Sequence, residues 1–200
     1  IGHGGAGKTS LVEAMLFNAG HTNRLGKVDD GTATTDYFPE EIKRKISVST
    51  ALAPCEWKDC KINLLDTPGY ADFFGEVKGA LRVADSVLLV LCAVSGVEVQ
   101  TEIGWREADN TNLPKVVFIN KMDRENANFD RVLKQMKEFF KKNIIPLQLP
   151  IGAEDNFSGV VDLLSMKAYK YNPKDGSYQD EEIPEEMIDA AQSAREAVIE

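Results

Sequence analysis

Positive charge is scarce in this 200-residue chain: 23 Lys and Arg stand against 32 Asp and Glu, a formal net charge of −9. The chain as a whole therefore lacks the charge for a broad electrostatic grip on nucleic acid, and no sequence-specific DNA binding is expected. A phosphate-bearing ligand must be held by local geometry instead. Cysteine is scarce as well. Cys55, Cys60 and Cys92 are an odd number, and no leader peptide is expected, which suits a reducing cytoplasm better than a disulfide framework. Cys55 and Cys60 are spaced like half of a metal site, but no second pair follows and the chain has only 2 histidines, so they read as ordinary strand residues. Apolar runs of membrane-spanning length are missing too, so no membrane partner is expected.

What is present is ordinary in bulk and specific in detail. At 43% hydrophobic and 28% charged residues, the composition is that of a globular chain with one full core and room for a small appendage. Near its start stands Gly2-His3-Gly4-Gly5-Ala6-Gly7-Lys8-Thr9-Ser10. Its pattern is glycine, four free positions, glycine, lysine and a hydroxyl, the spacing of a loop whose backbone N–H groups surround phosphates. Glycine is required where a Cβ would block that approach or where φ must be positive. Lys8 adds a point charge for the outer phosphates. Thr9 offers a hydroxyl to Mg²⁺, and the helix it opens turns its positive end toward the anion. Leu11, Val12, Met15, Leu16 and Ala19 then recur at helical spacing, and Gly20 is placed to end the helix.

From His21 to Lys45 no steady period holds, and the segment reads as one long polar loop, placed to order itself on a γ-phosphate. Ile46-Ser47-Val48-Ser49 alternates, Leu52 to Trp57 continues extended, Lys58-Asp59 offers a turn, and Lys61 to Leu65 returns: a β-hairpin. It delivers Asp66-Thr67-Pro68-Gly69-Tyr70 to a carboxyl strand end, where open α/β sheets bind ligands. Asp66 there suits a metal or its water shell, and the Gly69 N–H can approach a γ-phosphate closely.

A helix over Asp72 to Ala84, an apolar strand over Ser86 to Cys92, a helix over Val99 to Asn110 and a strand over Lys115 to Ile119 predict an α/β fold. Its sheet is mostly parallel with one antiparallel hairpin strand. The last strand runs into Asn120-Lys121-Met122-Asp123. A carboxylate at Asp123 can accept from both the N1–H and the 2-amino group of guanine, a donor pair that adenine lacks. Asn120 can bond the base or brace the phosphate loop, and the Lys121 stem can cover the ring.

Beyond a helix over Asn128 to Lys142, a strand over Ile144 to Ile151 closes the alternation. Val160 to Leu164 and Met166 to Tyr171 then look extended, Pro173-Lys174-Asp175-Gly176 reads as a turn, Asp180-Glu181-Glu182 as a solvated face, and Pro184 as the start of a helix. Two domains are expected: residues 1–155 for nucleotide and 156–200 as the start of an inserted α+β subdomain. The glycine loop lies almost at Ile1, and Ala190 to Glu200 stop in a helical pattern, so both ends are expected to be cut from a longer chain.

The ordered set Gly2 to Thr9, Asp66 to Gly69 and Asn120 to Asp123 resembles that of the translational GTPases. Gly152 to Leu163, following Pro146 to Pro150, resembles the entry to the insertion of the elongation factor G family. That resemblance covers essentially the whole chain. It implies a P-loop NTPase three-layer fold, binding of GTP and GDP with Mg²⁺, hydrolysis of GTP, the ribosome as partner, and a fifth nucleotide motif beyond Glu200. A ribosome-protection or peptide-release paralogue and a slow-turnover regulatory switch are the alternatives. Two departures stand out. The family's Arg-Gly-Ile-Thr is Arg44-Lys45-Ile46-Ser47 here: Ser47 keeps the hydroxyl that the family uses on Mg²⁺, while a positive φ at Lys45 costs roughly 1–2 kcal/mol. Tyr70 replaces the family histidine that positions the attacking water. A neutral phenol supplies no cationic imidazole, so slowed hydrolysis is expected. Lys8, Gly69 and Tyr70 are the catalytic residues on this reading, and Thr9, Ser47 and Asp66 the metal ligands.

Overall fold

The computed structural model describes residues 1–172 and 177–200. The turn expected over Pro173 to Gly176 lies outside the described residues. The chain forms two compact units, Ile1–Asn120 and Lys121–Glu200.

In the first unit, helix α1 (Lys8–Asn18) follows the glycine loop directly. It stops as the sequence predicts. Gly20 turns left-handed at φ 70, its N–H donates to the Phe17 carbonyl at 3.0 Å, and the His21 N–H donates to the Leu16 carbonyl at 2.9 Å. These are the two bonds of a Schellman stop. Strands β1 (Ala51–Trp57) and β2 (Cys60–Asp66) pair antiparallel from Ala51↔Asp66 to Trp57↔Cys60. Between them Lys58 and Asp59 both have positive φ, 48 and 63, as a two-residue turn matched to strand twist requires. Ala53 and Cys55 face inward and meet Val12 and Leu16 of α1 in one apolar cluster.

A 3₁₀ turn (Ala71–Phe73) leads into α3 (Phe74–Leu81), so the helix expected from Asp72 is shorter and starts with a tighter turn. Strand β3 (Val87–Cys92) and strand β4 (Lys115–Asn120) pair parallel in register Val87↔Lys115 to Cys92↔Asn120, joined by α4 (Val99–Asn110). On the other edge of β3, Gly2 bridges Val90 in parallel, and the Val90 N–H donates to the Ile1 carbonyl at 2.9 Å. Val77, Leu81, Val87 and Ala108 close a second apolar cluster between α3, α4 and β3. This parallel pair with its helices, together with the hairpin, is the mixed α/β arrangement that the alternation predicts.

Two expectations for the middle of the unit do not hold. The loop from His21 to Lys45 contains helix α2 (Pro39–Arg44), with proline in its first turn, Glu40 and Glu41 at its positive end and Lys43 and Arg44 at its negative end. Residues 46–50 are not strand. The hairpin begins only at Ala51, because the Val48 and Ser49 N–H groups are taken by the Glu41 carboxylate.

In the second unit, α5 (Phe129–Phe140) is capped by Asn128, whose side chain accepts from the Arg131 N–H at 2.8 Å. Four antiparallel strands follow in the order β5 (Gln148–Ile151), β6 (Gly159–Asp162), β7 (Lys167–Tyr171), β8 (Tyr178–Glu181). The strand expected from Ile144 is thus confined to four residues. The acidic stretch at Asp180 is solvated as expected, but it is also a strand. Lys167 meets Asp180 at 2.9 Å and Lys170 meets Glu181 at 2.6 Å across β7 and β8. Helix α6 (Ile188–Ile199) seals Val161 and Leu163 under Ala191.

Candidate functional site

The glycine loop supplies the geometry that its sequence promises. Gly5 and Gly7 lie at φ 76 and 96, and Gly7 caps α1 in the left-handed region. A Cβ at Gly7 would strike the Asn120 amide, whose Nδ2 donates to the Ala6 carbonyl at 2.9 Å. Asn120 therefore braces the loop from the end of β4, one of the two roles its sequence position allows. Lys8 is nearly buried, and its Nζ donates to the Gly2 and His3 carbonyls at 3.0 Å each. Burial lowers its pKa to about 8, while the Asp66 and Asp36 carboxylates pull the other way and keep it cationic at neutral pH. His3 also meets Glu98, Nε2 to Oε1 at 3.5 Å.

Over this loop lies the segment after β2. A Cβ at Gly69 would strike Lys8 Nζ, and would stand 2.6 Å from the Gly4 nitrogen and 2.8 Å from its Cα. Glycine is thus required there by close approach. The Tyr70 ring rests on Gly4: a Cβ at Gly4 would fall 2.8 Å from its Cζ. Tyr70 is 43% exposed, so it covers the loop while part of the residue meets water.

Beside Lys8 the hydroxyls and carboxylates converge. Thr9 Oγ1 and Ser47 Oγ are 3.2 Å apart; Ser47 Oγ donates to Asp36 Oδ1 at 2.7 Å, and Thr35 Oγ1 donates to Asp66 Oδ2 at 2.7 Å. Asp36 and Asp66 are each 4% exposed. Burial raises the Asp36 pKa; the Ser47 hydrogen bond opposes this, and Asp66, Glu41 and Glu13 add to it. Asp66 Oδ1, Asp36 Oδ2 and Thr67 Oγ1 are buried without a hydrogen-bond partner among the described residues. Buried oxygens left in that condition suit a hard cation.

The first unit thus brings together the glycine loop, Lys8, Thr9, Ser47, Asp66, Gly69, Tyr70 and Asn120. Ser10, beside Thr9, is exposed. Lys121 and Asp123 open the second unit, Lys121 at φ 63 and Asp123 with its side chain 68% exposed, 3.9 Å from Arg124 Nε. Sequence reasoning missed Thr35, Asp36, Glu13 and Glu41. Glu13, 1% exposed in α1, accepts from the Gly26 N–H at 3.1 Å and from the Thr34 N–H. A glutamate at an otherwise apolar helix position was the available signal for it; nothing in the polar loop marked Asp36.

A model of the elongation factor Tu GTP binding domain matches residues 1–195. The chain belongs to that family. Within it, the chain is similar to an elongation factor G from Thermotoga neapolitana, 44% identical over 201 aligned residues that cover 100% of this chain and 29% of that protein. It is also similar to a crystal structure of a protein from Thermus thermophilus, with a TM-score of 0.93 and 37% identity over 99% of this chain and 29% of that one. The chain spans less than a third of the length of either relative. Among the described residues no helix is long and apolar enough to cross a membrane.

Proposed function

We propose that this chain is the nucleotide-binding part of an elongation factor G-like GTPase, which binds GTP, hydrolyses it to GDP and phosphate, and acts on the ribosome in the cytoplasm. The observation that carries the reading is the convergence of Lys8, Thr9, Ser47, Asp66 and Gly69 on one side of the glycine loop. Residues 1–155 form the nucleotide domain and 156–200 begin an inserted subdomain. Asp123 selects guanine through its paired acceptor oxygens, and Lys121 covers the ring.

Thr9, Ser47 and Asp66 would hold Mg²⁺, which would neutralise charge on the phosphate oxygens. The chain's own groups do the rest. Lys8 and the N–H groups at the start of α1 bind the phosphates, and the Gly69 N–H stabilises charge that develops on the γ-phosphate. Tyr70 orients a water without taking its proton, so turnover is slow until a partner acts on the segment.

Two measurements on the full-length protein test this. GTP, but not ATP, should displace a labelled guanine nucleotide. Single-turnover hydrolysis, with and without ribosomes, should be faster in Tyr70→His than in the wild type; an unchanged or lower rate would sink the role given to Tyr70. Displacement by ATP would sink the role given to Asp123.

A further inference from the structure

Glu41 is 1% exposed, and its groups gather the backbone on both sides of Ser47. Its main-chain carbonyl accepts the Lys45 N–H at 2.7 Å and the Ile46 N–H at 3.3 Å. Its carboxylate accepts the Val48 N–H at 2.9 Å and the Ser49 N–H at 3.3 Å on Oε1, and the Phe38 N–H at 3.1 Å on Oε2. The chain therefore doubles back around one residue. It enters at Phe38, turns left-handed at Lys45 (φ 57), and leaves at Ser49. Ser47 is the residue at the tip, and its hydroxyl lies between Thr9 Oγ1 and Asp36 Oδ1.

We infer that Glu41 is a positioning residue: its carboxylate fixes the backbone around Ser47 so that the Ser47 hydroxyl faces Thr9, where the cation would bind. The inference rests on the metal role proposed for Ser47. A bond that only capped α2 would end at the Phe38 N–H. The two bonds to Val48 and Ser49 lie well beyond that cap and have no part in the helix. Groups that orient a metal ligand in this way typically change metal affinity when they are altered.

Glutamine is the informative substitution. It keeps the shape but offers one acceptor oxygen and turns an NH₂ toward an N–H donor, so either the Phe38 bond or the Val48 and Ser49 pair is lost. The experiment uses the full-length protein and measures the Mg²⁺ concentration that half-saturates binding of a non-hydrolysable GTP analogue. The variants are Glu41→Gln, Ser47→Ala and the double mutant; trypsin cleavage in the exposed run Lys43 to Lys45 is followed in parallel without nucleotide. The Mg²⁺ midpoint should rise about tenfold in Glu41→Gln and in Ser47→Ala, and no further in the double mutant, since both remove one device. Cleavage should quicken in Glu41→Gln. If Ser47→Ala shifts the midpoint while Glu41→Gln does not, or if the two losses multiply, the inference is overturned and the metal reading stands. If Ser47→Ala shifts nothing, the metal reading falls, and the role of Glu41 toward it falls too. Glu41→Asp, one methylene shorter with its charge kept, should resemble Glu41→Gln; wild-type behaviour would overturn the distance argument.

Discussion

Replacing Gly4 by alanine asks whether the seat of the Tyr70 ring matters to the reaction. The added Cβ would stand 2.8 Å from Cζ of the phenol and 3.0 and 3.1 Å from its two Cε atoms. Carbon atoms settle at about 3.5–4.0 Å, so the ring must retreat by about 0.7 Å. Two features make that retreat cheap for the fold. Gly4 is not among the positive-φ glycines, so alanine adds no left-handed strain, and Tyr70 is 43% exposed and has water to move into. The expected change in stability is therefore within about 0.5 kcal/mol. The reaction is less tolerant, because a misplacement of about 1 Å can cost on the order of a hundredfold in rate. A shift somewhat smaller than that should slow single-turnover GTP hydrolysis by roughly tenfold or more in the full-length protein. The decisive comparison is the same substitution in a Tyr70→Ala background, where no ring remains to be displaced. There Gly4→Ala should have little effect. Equal slowing in both backgrounds would refute the reasoning, since the methyl group would then be acting on the phosphate loop itself.

Lys45→Gly should stabilise the protein. It relieves a left-handed cost of roughly 1–2 kcal/mol at φ 57, against roughly 0.4–1 kcal/mol of added freedom in the unfolded chain. The net gain, roughly 0–1.6 kcal/mol with its centre near 0.8, should appear as a higher urea midpoint; a lower midpoint would contradict it. Acid should unfold the protein partly through Glu76 and Asp162. The Thr50 N–H, at 2.7 Å, lowers the Glu76 pKa most, helped by hydroxyls of Thr50 and Ser49. Burial pushes Asp162 up, but the Ser165 N–H and hydroxyl, Gln148 and the Leu164 N–H together bring it below its ordinary value. For carboxylates depressed in the folded state, the stabilisation is complete above the unfolded pKa and is lost as pH falls through the folded one. The denaturation midpoint should therefore drop from about pH 4 downward, and less steeply in the Glu76→Gln and Asp162→Asn double mutant; parallel profiles would refute the assignment.

The parts read correctly from sequence are those whose residue types answer to one local demand. Gly5 and Gly7 are glycines because the loop turns left-handed there, and Gly69 because Lys8 and Gly4 press on it. Gly20 ends α1 by the same logic, and α4 starts and stops where its pattern does. Ile46-Ser47-Val48-Ser49 shows where that logic fails. Its alternation is that of a strand, but its N–H groups at Val48 and Ser49 are claimed by a carboxylate seven and eight residues earlier, so no ladder forms until Ala51. Helix α2 was missed for a related reason: six residues are too few to show a period, and its end charges say how it is stabilised only once its bounds are known. Asp36 and Thr35 were unreadable, since any loop carboxylate and hydroxyl look alike until Ser47 and Asp66 are seen beside them. Groups that face a ligand announce themselves by type and spacing, whereas groups that hold them in place act through backbone hydrogen bonds, which any sequence can accept. Glu41 belongs to the second kind. The false strand and the turn that presents Ser47 therefore share one cause, a single buried carboxylate.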